Sequence, residues 1–451
     1  MTERARTTTA ALLCVAVIGA LVLIVMAAVL VPVCLLAAWH DVPDTGRRQQ
    51  TYFALMLVLE TFMIGVFAAT DVFLFYVFFE AMLIPVYFLI GSYGGPRRQY
   101  AAVKFLLYSL LGGLVMLVAV IALYQAGPGG PQGFLVDKLT GITFDQNAGR
   151  LMFLGFFFAF AVKAPMWPVH TWLPDAATEA KPATAVLLVG VLDKVGTYGM
   201  IRFCLQMFPE ASTWATPAII VLAVVSVLYG ALLAIGQTDI MRLIAYTSVS
   251  HFGFIVLGIF AMTSAGTAGS ALYMVNHGFT TAALFLVAAM LIRRRGSKRI
   301  PDYGGWQRVT PVIAGVFLIS GMSALALPGL NSFISEFLVL VGTFQRYRVA
   351  AVIASAGIIL AALYILLMYQ RTMQGPLRLP PDASGGALER LRDLRLREVL
   401  AIAPLLALMI FLGVYPKPLT DVINPAVKAT MQDAGRTDPA PTQGDPAAES
   451  R

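Results

Sequence analysis

The sequence has 451 residues, of which 59% are hydrophobic and only 12% are charged. Soluble domains contain about 25% charged residues, so this composition excludes a soluble fold and predicts an all-α protein that crosses a membrane many times. The net charge of +8 does not indicate nucleic-acid binding, because the lysines and arginines cluster between apolar segments, where they orient membrane proteins.

Motifs for cofactors are missing from the sequence. The three cysteines, Cys14, Cys34 and Cys204, lie in apolar surroundings and share no short spacing, so they indicate no iron–sulfur, zinc or disulfide site. The sequence also contains no glycine-rich dinucleotide motif and no phosphate-binding loop. We therefore expect neither a cofactor nor a metal in this chain.

A membrane-crossing helix needs about 20 apolar residues, and hydropathy predicts about twelve such segments. They run over 11–39, 51–69, 71–91, 101–125, 151–180, 183–208, 214–236, 240–261, 268–293, 311–345, 349–373 and 396–415. The first is too long for a signal peptide and lacks a clear cleavage site. Residues 425–451 are rich in proline, alanine, aspartate and glycine, which predicts a disordered tail.

Two of the predicted segments are too long for one straight crossing. Segment 151–180 contains Pro165, Pro168 and Pro174, and segment 311–345 contains Pro328 followed by a glycine. Proline breaks a helix, and a break at membrane depth is tolerated where protein or a water-filled cavity satisfies the freed backbone groups. We interpret both as interrupted helices that line an interior path, although a packing kink is the simpler alternative for either one alone.

The two breaks occur at matching places in two units of five helices. Residues 51–208 form the first unit and 214–373 the second, and in each the fourth helix is broken. Since five is odd, the second unit enters the membrane from the opposite side, which is the inverted-repeat pattern of transporters. Residues 1–50 supply an N-terminal helix, and 396–424 a C-terminal helix with a short tail segment.

The loops between the predicted spans indicate the orientation. Twelve crossings place both termini on one side and the loops 40–50, 92–100, 294–310 and 374–395 on the other. These loops carry Arg47, Arg48, Arg97, Arg98, Arg294, Arg295, Lys298, Arg299, Arg308, Arg378, Arg390, Arg392 and Arg395. The positive-inside rule makes their side cytoplasmic, so we expect the termini on the external side.

Four charged residues lie inside predicted spans: Glu80, Lys163, Lys194 and Glu336. Each costs about 2.5–3.5 kcal/mol near the bilayer centre. One such charge could belong to a structural ion pair, but four charges spread over both units, two of them beside helix breaks, favour an ion pathway. Burial favours the neutral forms of lysine and carboxylic acids, which suits both groups to proton exchange.

Further polar residues in the spans are candidates for the same path. His170 lies in the first break, and His251 and His277 lie in two later helices; each could instead be a core histidine bonded to a backbone carbonyl. Lys104 is a candidate path member, whereas Glu60 has no explanation. Metal binding is not indicated, because no pair of these histidines has ligand spacing on one helix face.

Asp175 and Glu179 are four residues apart and share one face if that stretch is helical. We expect them to stabilise the short helix rather than carry protons. Asp193, next to Lys194, either offsets the lysine charge or pairs with a basic group on a neighbouring helix or subunit.

Five stretches are long and specific: FFEAMLIP, VKAPMWPVHTWLPDA, LIAYTSVSHFGF, VNHG and LPGLNSFISEF. They resemble the antiporter-like subunits of respiratory complex I, and the likeness covers about residues 20 to 415. The resemblance implies an inverted five-helix repeat, with half of a proton channel in each unit, in a subunit of NADH–quinone oxidoreductase that pumps protons without its own redox site. NADH, FMN, iron–sulfur clusters and quinone would then belong to other subunits, and the partners would be membrane lipid and neighbouring antiporter-like subunits in a bacterial inner membrane.

The resemblance also assigns roles to individual residues. Glu80 matches the glutamate that pairs with the lysine before the first break, here Lys163, and Lys194 matches the central lysine of the next helix. His251 and His277 match connecting residues, and Glu336 matches the terminal ionisable group. One branch of the family carries glutamate at that last position, whereas sister chains and sodium–proton antiporter subunits usually carry lysine.

The sequence departs from the family pattern at two points. The family usually has fourteen spans, so about two are missing before residue 11, and the position of Asp193 is usually apolar. The alternative function is a subunit of a multisubunit sodium–proton antiporter. A structural membrane scaffold, or a carrier that works alone, is a further alternative of a different class.

Overall fold

The computed structural model describes residues 3–42, 46–379 and 393–440, with side chains from residue 20 onward. These residues fold into helices. The first nine are α1 Glu3–Ala38, α2 Arg47–Ala68, α3 Val72–Ala81, α4 Leu83–Tyr93, α5 Arg98–Ala126, α6 Val136–Leu139, α7 Gln146–Lys163, α8 Trp172–Glu179 and α9 Pro182–Leu187. The next nine are α10 Lys194–Gly199, α11 Pro209–Ile235, α12 Ile240–Phe260, α13 Ser264–Arg295, α14 Pro311–Ala324, α15 Asn331–Arg346, α16 Arg348–Met373, α17 Leu396–Val414 and α18 Lys417–Asp433.

The prediction of an all-α membrane protein is confirmed. Within the described ranges, ten helical segments are long and apolar enough to cross a membrane, counting α3 with α4 and Pro182–Leu205 as one segment each. The count of twelve adds the two interrupted segments, whose helices α7, α8, α14 and α15 do not pass the same test of length and apolarity. That total therefore stays a prediction.

Both helix breaks occur where the prolines predict them. The first separates α7 from α8 over residues 164–171, and the second separates α14 from α15 over residues 325–330. Other helices supply partners for the exposed backbone, as a break at membrane depth requires. The amide of Trp167 donates to Ser226 Oγ at 2.8 Å, and the amide of Asn276 donates to the carbonyl of Asn331 at 2.7 Å.

The helices that carry polar residues lie at the centre of the bundle. The most apolar stretch of α12 is 100% buried, and those of Pro182–Leu205 and α13 are 89% buried, whereas α2, α16 and α17 each reach only 33%. The outer helices therefore present apolar side chains outward. The central helices are shielded by protein on all sides, so their charges are kept from the lipid.

The segment Pro182–Leu205, which corresponds to the predicted span 183–208, contains two π-helical stretches. Residues Leu188–Leu192 and Met200–Leu205 are π-helical, and the short helix α10 lies between them. A π-helical stretch leaves backbone groups out of the usual hydrogen-bond pattern and is frequent at functional sites. Lys194, the first residue of α10, follows the first stretch directly after Asp193.

The predicted disordered tail is wrong over residues 425–433, because α18 extends to Asp433. Its buried residues Ile423, Val427 and Met431 are spaced by four, so they form one apolar stripe that packs against Leu272 of α13. Low overall hydrophobicity and the internal Pro425 conceal this stripe in the sequence. Residues 441–451 lie outside the described part of the chain.

The basic loops lie together at one end of the bundle. Arg48 of the first loop donates to the carbonyl of Ser92 in the second at 2.9 Å. Arg293, beside the third loop, pairs with Asp41 of the first. Trp306 of the third loop donates to the carbonyl of Arg378 in the fourth at 3.0 Å. Residues 380–392 of this fourth loop, which include two of the predicted arginines, lie outside the described residues.

Candidate functional site

A row of buried polar side chains begins at Lys194 in the middle of the bundle. Its ammonium is fully buried and donates to the carbonyl of Val189 at 2.5 Å, within the first π-helical stretch. The same Nζ lies 2.8 Å from Nδ1 of His277 on α13 and 5.1 Å from the ring centre of Phe252. The lysine is thus held between a backbone carbonyl, an imidazole and an aromatic ring.

The row continues across α12, α13 and α16. The rings of His277 and His251 meet edge to face, with their centres 5.2 Å apart. His251 Nε2 lies 3.3 Å from the hydroxyl of Tyr364. Nε2 of His277 has no hydrogen-bond partner among the described residues, which leaves it free to bond to water.

The row ends at Glu336 on α15, just after the second break. The hydroxyl of Tyr273 donates to Glu336 Oε2 at 3.2 Å, and the ring of Tyr273 lies 5.9 Å, centre to centre, from that of His251. We call the six residues the polar row: Lys194, His277, His251, Tyr364, Tyr273 and Glu336. None of them is more than 4% exposed.

Four of the six residues of the polar row were candidates from sequence, and the two tyrosines were missed. Tyr273 had a detectable signal, because it precedes His277 by four residues on α13 and so lies on the same helix face. Tyr364 lies in an apolar stretch of α16 without a comparable signal. Only the packing of α16 against α12 brings its hydroxyl to His251.

The predicted pair of Glu80 and Lys163 lies in the first half of the chain without direct contact. The two groups interact electrostatically, but no ion pair within 4.0 Å joins them. Lys163 Nζ is fully buried with no hydrogen-bond partner in the described part of the chain, as is Glu80 Oε1. The ammonium instead lies 4.7 Å from the ring centre of Phe79.

Glu80 occupies space that a glycine leaves open. A Cβ atom on Gly113 of α5 would overlap the carboxylate of Glu80. The side chain therefore reaches inward over α5, although the residue as a whole is only half-buried. Glu80 thus lies near the outer surface of the bundle, with its carboxylate directed toward the interior.

Lys104 has a structural partner that the sequence did not predict. Its Nζ lies 2.7 Å from Asp175 Oδ2, and Arg242 Nη1 lies 2.6 Å from Oδ1 of the same carboxylate. This Asp175 cluster joins α5, α8 and α12, and hence the two predicted repeats. Glu179, in contrast, accepts a hydrogen bond from the amide of Arg97 at 2.9 Å.

The remaining candidate, His170, is buried in the first break. Neither of its ring nitrogens has a hydrogen-bond partner within the ranges that the structure describes. Its ring packs at 5.2 Å, centre to centre, against Tyr229 of α11. His170 is thus near the Asp175 cluster in sequence but does not share its contacts.

The second break is lined by a network of small polar side chains. Asn331 Oδ1 accepts hydrogen bonds from Ser323 Oγ at 2.6 Å and Thr280 Oγ1 at 3.3 Å. Asn331 Nδ2 donates to the carbonyl of Asn276 at 3.1 Å. Because Asn276 precedes His277 on α13, the network ties the break to the polar row.

The arrangement defines a class of protein. A buried path of lysine, histidine, tyrosine and glutamate can pass protons, and two helix breaks beside it give polar access at membrane depth. In the described ranges no group of three or more histidine, cysteine, aspartate or glutamate residues is placed to hold a metal. This is the architecture of a membrane protein that moves protons or other small cations.

Comparisons with known proteins identify the family. Residues 69–362 match the family model described as "NADH:quinone oxidoreductase/Mrp antiporter, TM". The chain belongs to this family.

Individual relatives show which members of this family the chain resembles. The chain is 51% identical to NADH-quinone oxidoreductase subunit M of Mycobacterium tuberculosis over 461 residues, covering 95% of this chain and 82% of that protein. It is 39% identical to NADH-ubiquinone oxidoreductase chain 4 of Arabidopsis thaliana, covering 91% and 80%. These names confirm the predicted likeness to the antiporter-like subunits of respiratory complex I.

Solved structures show the same fold. A chain of respiratory complex I from Thermus thermophilus with bound NADH superposes with a TM-score of 0.83 at 31% identity, covering 93% of this chain and 85% of that one. A chain of the Mrp complex from a Dietzia species gives a TM-score of 0.80 at 21% identity, covering 92% and 85%. At that lower identity the second match shows the fold alone.

Proposed function

We propose that this chain is a proton-translocating membrane subunit of respiratory complex I, which couples electron transfer from NADH to quinone to proton pumping. The observation that carries the proposal is the polar row, a continuous set of buried titratable contacts from Lys194 to Glu336. The 51% identity to a subunit M supports the same assignment.

The proposed path uses the residues as follows. Protons enter from the cytoplasm through the first half-channel, near Glu80 and Lys163, and reach Lys194. They pass along His277 and His251, with the tyrosines as hydroxyl links, and leave at Glu336 on the other side. Lys163 and Glu80 are free of direct contact, so a small shift between them changes the electrostatic field at Lys194.

The orientation follows from the basic loops. Their grouping at one end of the bundle supports a cytoplasmic face there and termini on the external side of the bacterial inner membrane. The Asp175 cluster connects to this face, because Lys298 of the third loop donates to the carbonyl of Thr178. We assign the division at residues 51–208 and 214–373 to the two halves of the channel.

We propose that the redox groups lie in other subunits. The support is the similarity to a subunit M of NADH-quinone oxidoreductase and to a chain of a respiratory complex I with bound NADH, both of which are parts of larger assemblies. NADH, FMN, iron–sulfur clusters and quinone would bind elsewhere in the assembly, and neighbouring antiporter-like subunits would be the direct partners.

The alternative is a subunit of a multisubunit sodium–proton antiporter. The matching family model names both kinds of protein, and the Mrp complex shares the fold. The higher identities, 51% and 39%, are to NADH dehydrogenase subunits, which favours complex I.

Two measurements test the proposal. An affinity-tagged chain purified from its native membrane should carry NADH-oxidising subunits with it; recovery with antiporter subunits instead would establish the alternative. In the assembled enzyme, Glu336→Ala should abolish NADH-driven acidification of vesicles while the complex remains intact. Normal acidification by that variant would contradict the proposed exit residue.

A further inference from the structure

Asp193 carries a buried carboxylate that is not among the residues of the proposed proton path. It is fully buried, and neither carboxylate oxygen has a hydrogen-bond partner among the described residues. A buried carboxylate without a partner is costly, and one at membrane depth indicates function by default. The residue lies at the junction of the first π-helical stretch and α10, next to Lys194.

The helix geometry shows which way Asp193 faces. It has right-handed helical backbone angles, and residues three apart share one helix face, so Asp193 lies on the face of Gly196. That glycine touches the end of α7: a Cβ atom on it would lie 2.6 Å from the amide nitrogen of Ala164. Ala164 follows Lys163, with which Asp193 interacts electrostatically.

Lys194 lies on a different face, because adjacent helical residues point about 100° apart. Its own face continues to Thr197, whose hydroxyl lies 2.9 Å from Met274 Sδ on α13. Met274 precedes His277 by three residues, so both contacts lie on the same side of α13. Asp193 therefore faces α7, whereas the adjacent Lys194 faces α13.

The same location holds two complementary unpartnered groups. The ammonium of Lys163 and the carboxylate of Asp193 are both fully buried, neither makes a hydrogen bond in the described part of the chain, and no ion pair within 4.0 Å joins them. Because each group lacks a protein partner, a water molecule that bonds to both would satisfy the two at once.

We propose that Asp193 is a proton relay between Lys163 and Lys194, so that the adjacent pair joins the first half-channel to the polar row. This inference rests on the proposed function. A proton leaves the Lys163 ammonium and reaches the Asp193 carboxylate through water, giving a neutral amine and a carboxylic acid. The carboxylic acid then passes the proton, again through water, to the neutral Lys194 amine, which restores the carboxylate and forms the ammonium.

A merely structural role for Asp193 makes a different prediction. If the carboxylate only offsets lysine charge, its removal should impair assembly, and any enzyme that assembles should pump normally. If it is a relay, enzyme that assembles without it should still oxidise NADH with a soluble acceptor but pump slowly.

The test uses the assembled enzyme in proteoliposomes, with NADH and quinone supplied and acidification followed by a pH-sensitive dye. Asp193→Asn keeps the shape and removes the proton site, Asp193→Ser removes it at smaller size, and Asp193→Glu retains it. We expect the first two to lower proton pumping about tenfold, less than the roughly 10²–10⁴-fold typical for loss of a general acid–base group, and the third to retain most of it. Asp421→Asn, at an exposed carboxylate, is the matched control.

The outcomes separate this inference from the proposed function. Normal pumping by either the Asn or the Ser variant overturns the relay, as does an assembled Glu variant that fails to pump. If Glu336→Ala stops pumping while Asp193→Asn does not, the proposed function stands and the relay fails. If both of those variants pump normally, the proposed function itself fails.

Discussion

The two halves of the proposed path are built differently. From Lys194 to Glu336 each group touches the next, by hydrogen bonds of 2.8–3.3 Å or by ring contacts. In the other half, Glu80 is half-buried, Lys163 and Asp193 are fully buried, and no hydrogen bond or ion pair joins the three groups. One half is joined by direct side-chain contacts, whereas protons would have to cross the gaps in the other half through water.

The difference indicates where control of the path is located. A hydrogen-bonded row has fixed distances, so its conductance changes little with small motions. Across a gap bridged by water, a shift of about 1 Å makes or breaks a hydrogen bond, because such bonds have a narrow distance range. The first half is therefore suited to be switched, and the second half to conduct.

Lys194→Ala should have the largest effect, because it removes the residue that joins the two halves. The variant loses the hydrogen bond to His277 and leaves no proton site between the halves. We expect NADH-driven pumping to fall about a hundredfold, as for loss of an essential proton carrier. Dye-based acidification in proteoliposomes measures this, with Lys428→Ala, at an exposed lysine, as control. If the variant pumps protons at the rate of the control, Lys194 does not join the two halves of the path.

Replacing both tyrosines of the polar row tests whether the second half depends on its hydroxyls. Tyr273→Phe removes the hydrogen bond to Glu336, and Tyr364→Phe removes the one to His251. A hydrogen bond to a charged group contributes about 1.5–3 kcal/mol, so we expect the double variant to pump about tenfold more slowly. If the double variant pumps at the normal rate, the tyrosine hydroxyls are not needed for proton transfer in the second half. The two halves would then not differ in their dependence on direct side-chain contacts.

Gly113→Ala disturbs the first half without removing a charge. The added methyl group would overlap the Glu80 carboxylate and displace it. Overpacking costs about 1–3 kcal/mol, and we expect pumping to fall about fivefold while NADH oxidation with a soluble acceptor continues. Gly315→Ala, where a Cβ atom meets no neighbour within 4 Å, is the control. If both variants lower the pumping rate equally, the position of the Glu80 carboxylate does not determine the rate.

Asp175→Asn should affect stability rather than pumping. It leaves Lys104 and Arg242 without their shared carboxylate, which costs about 1–3 kcal/mol for partly exposed charges. We expect a lower unfolding temperature of the purified complex by light scattering, with a pumping rate per intact enzyme within about twofold of normal. A selective loss of pumping at unchanged stability would instead place Lys104 in the path.

Strong local signals made most of the fold predictable. Long apolar runs fix the spans, and prolines fix both breaks. The π-helical stretches beside Lys194 and the helix α18 were missed, because the first depend on packing and the second has an apolar stripe too narrow to stand out in composition.

The candidate site was predictable where charge is rare. Lys163, Lys194 and Glu336 are conspicuous in apolar segments, and the motifs assign their roles. Tyr364 is not, because tyrosine is common in membrane helices and its contact with His251 depends on tertiary packing. The absence of contact between Lys163 and Glu80 could not be read from sequence either, because spacing gives the helix face but not the distance.

Helix α13 runs unbroken for 32 residues, which is about 48 Å at 1.5 Å per residue. At one end Arg294 is fixed to Glu398 by a contact of 2.6 Å, and about 25 Å away along the axis His277 holds Lys194. A helix without a break resists compression along its length. Because no break interrupts it, α13 connects the Arg294–Glu398 ion pair rigidly to the imidazole that contacts Lys194 in the middle of the bundle.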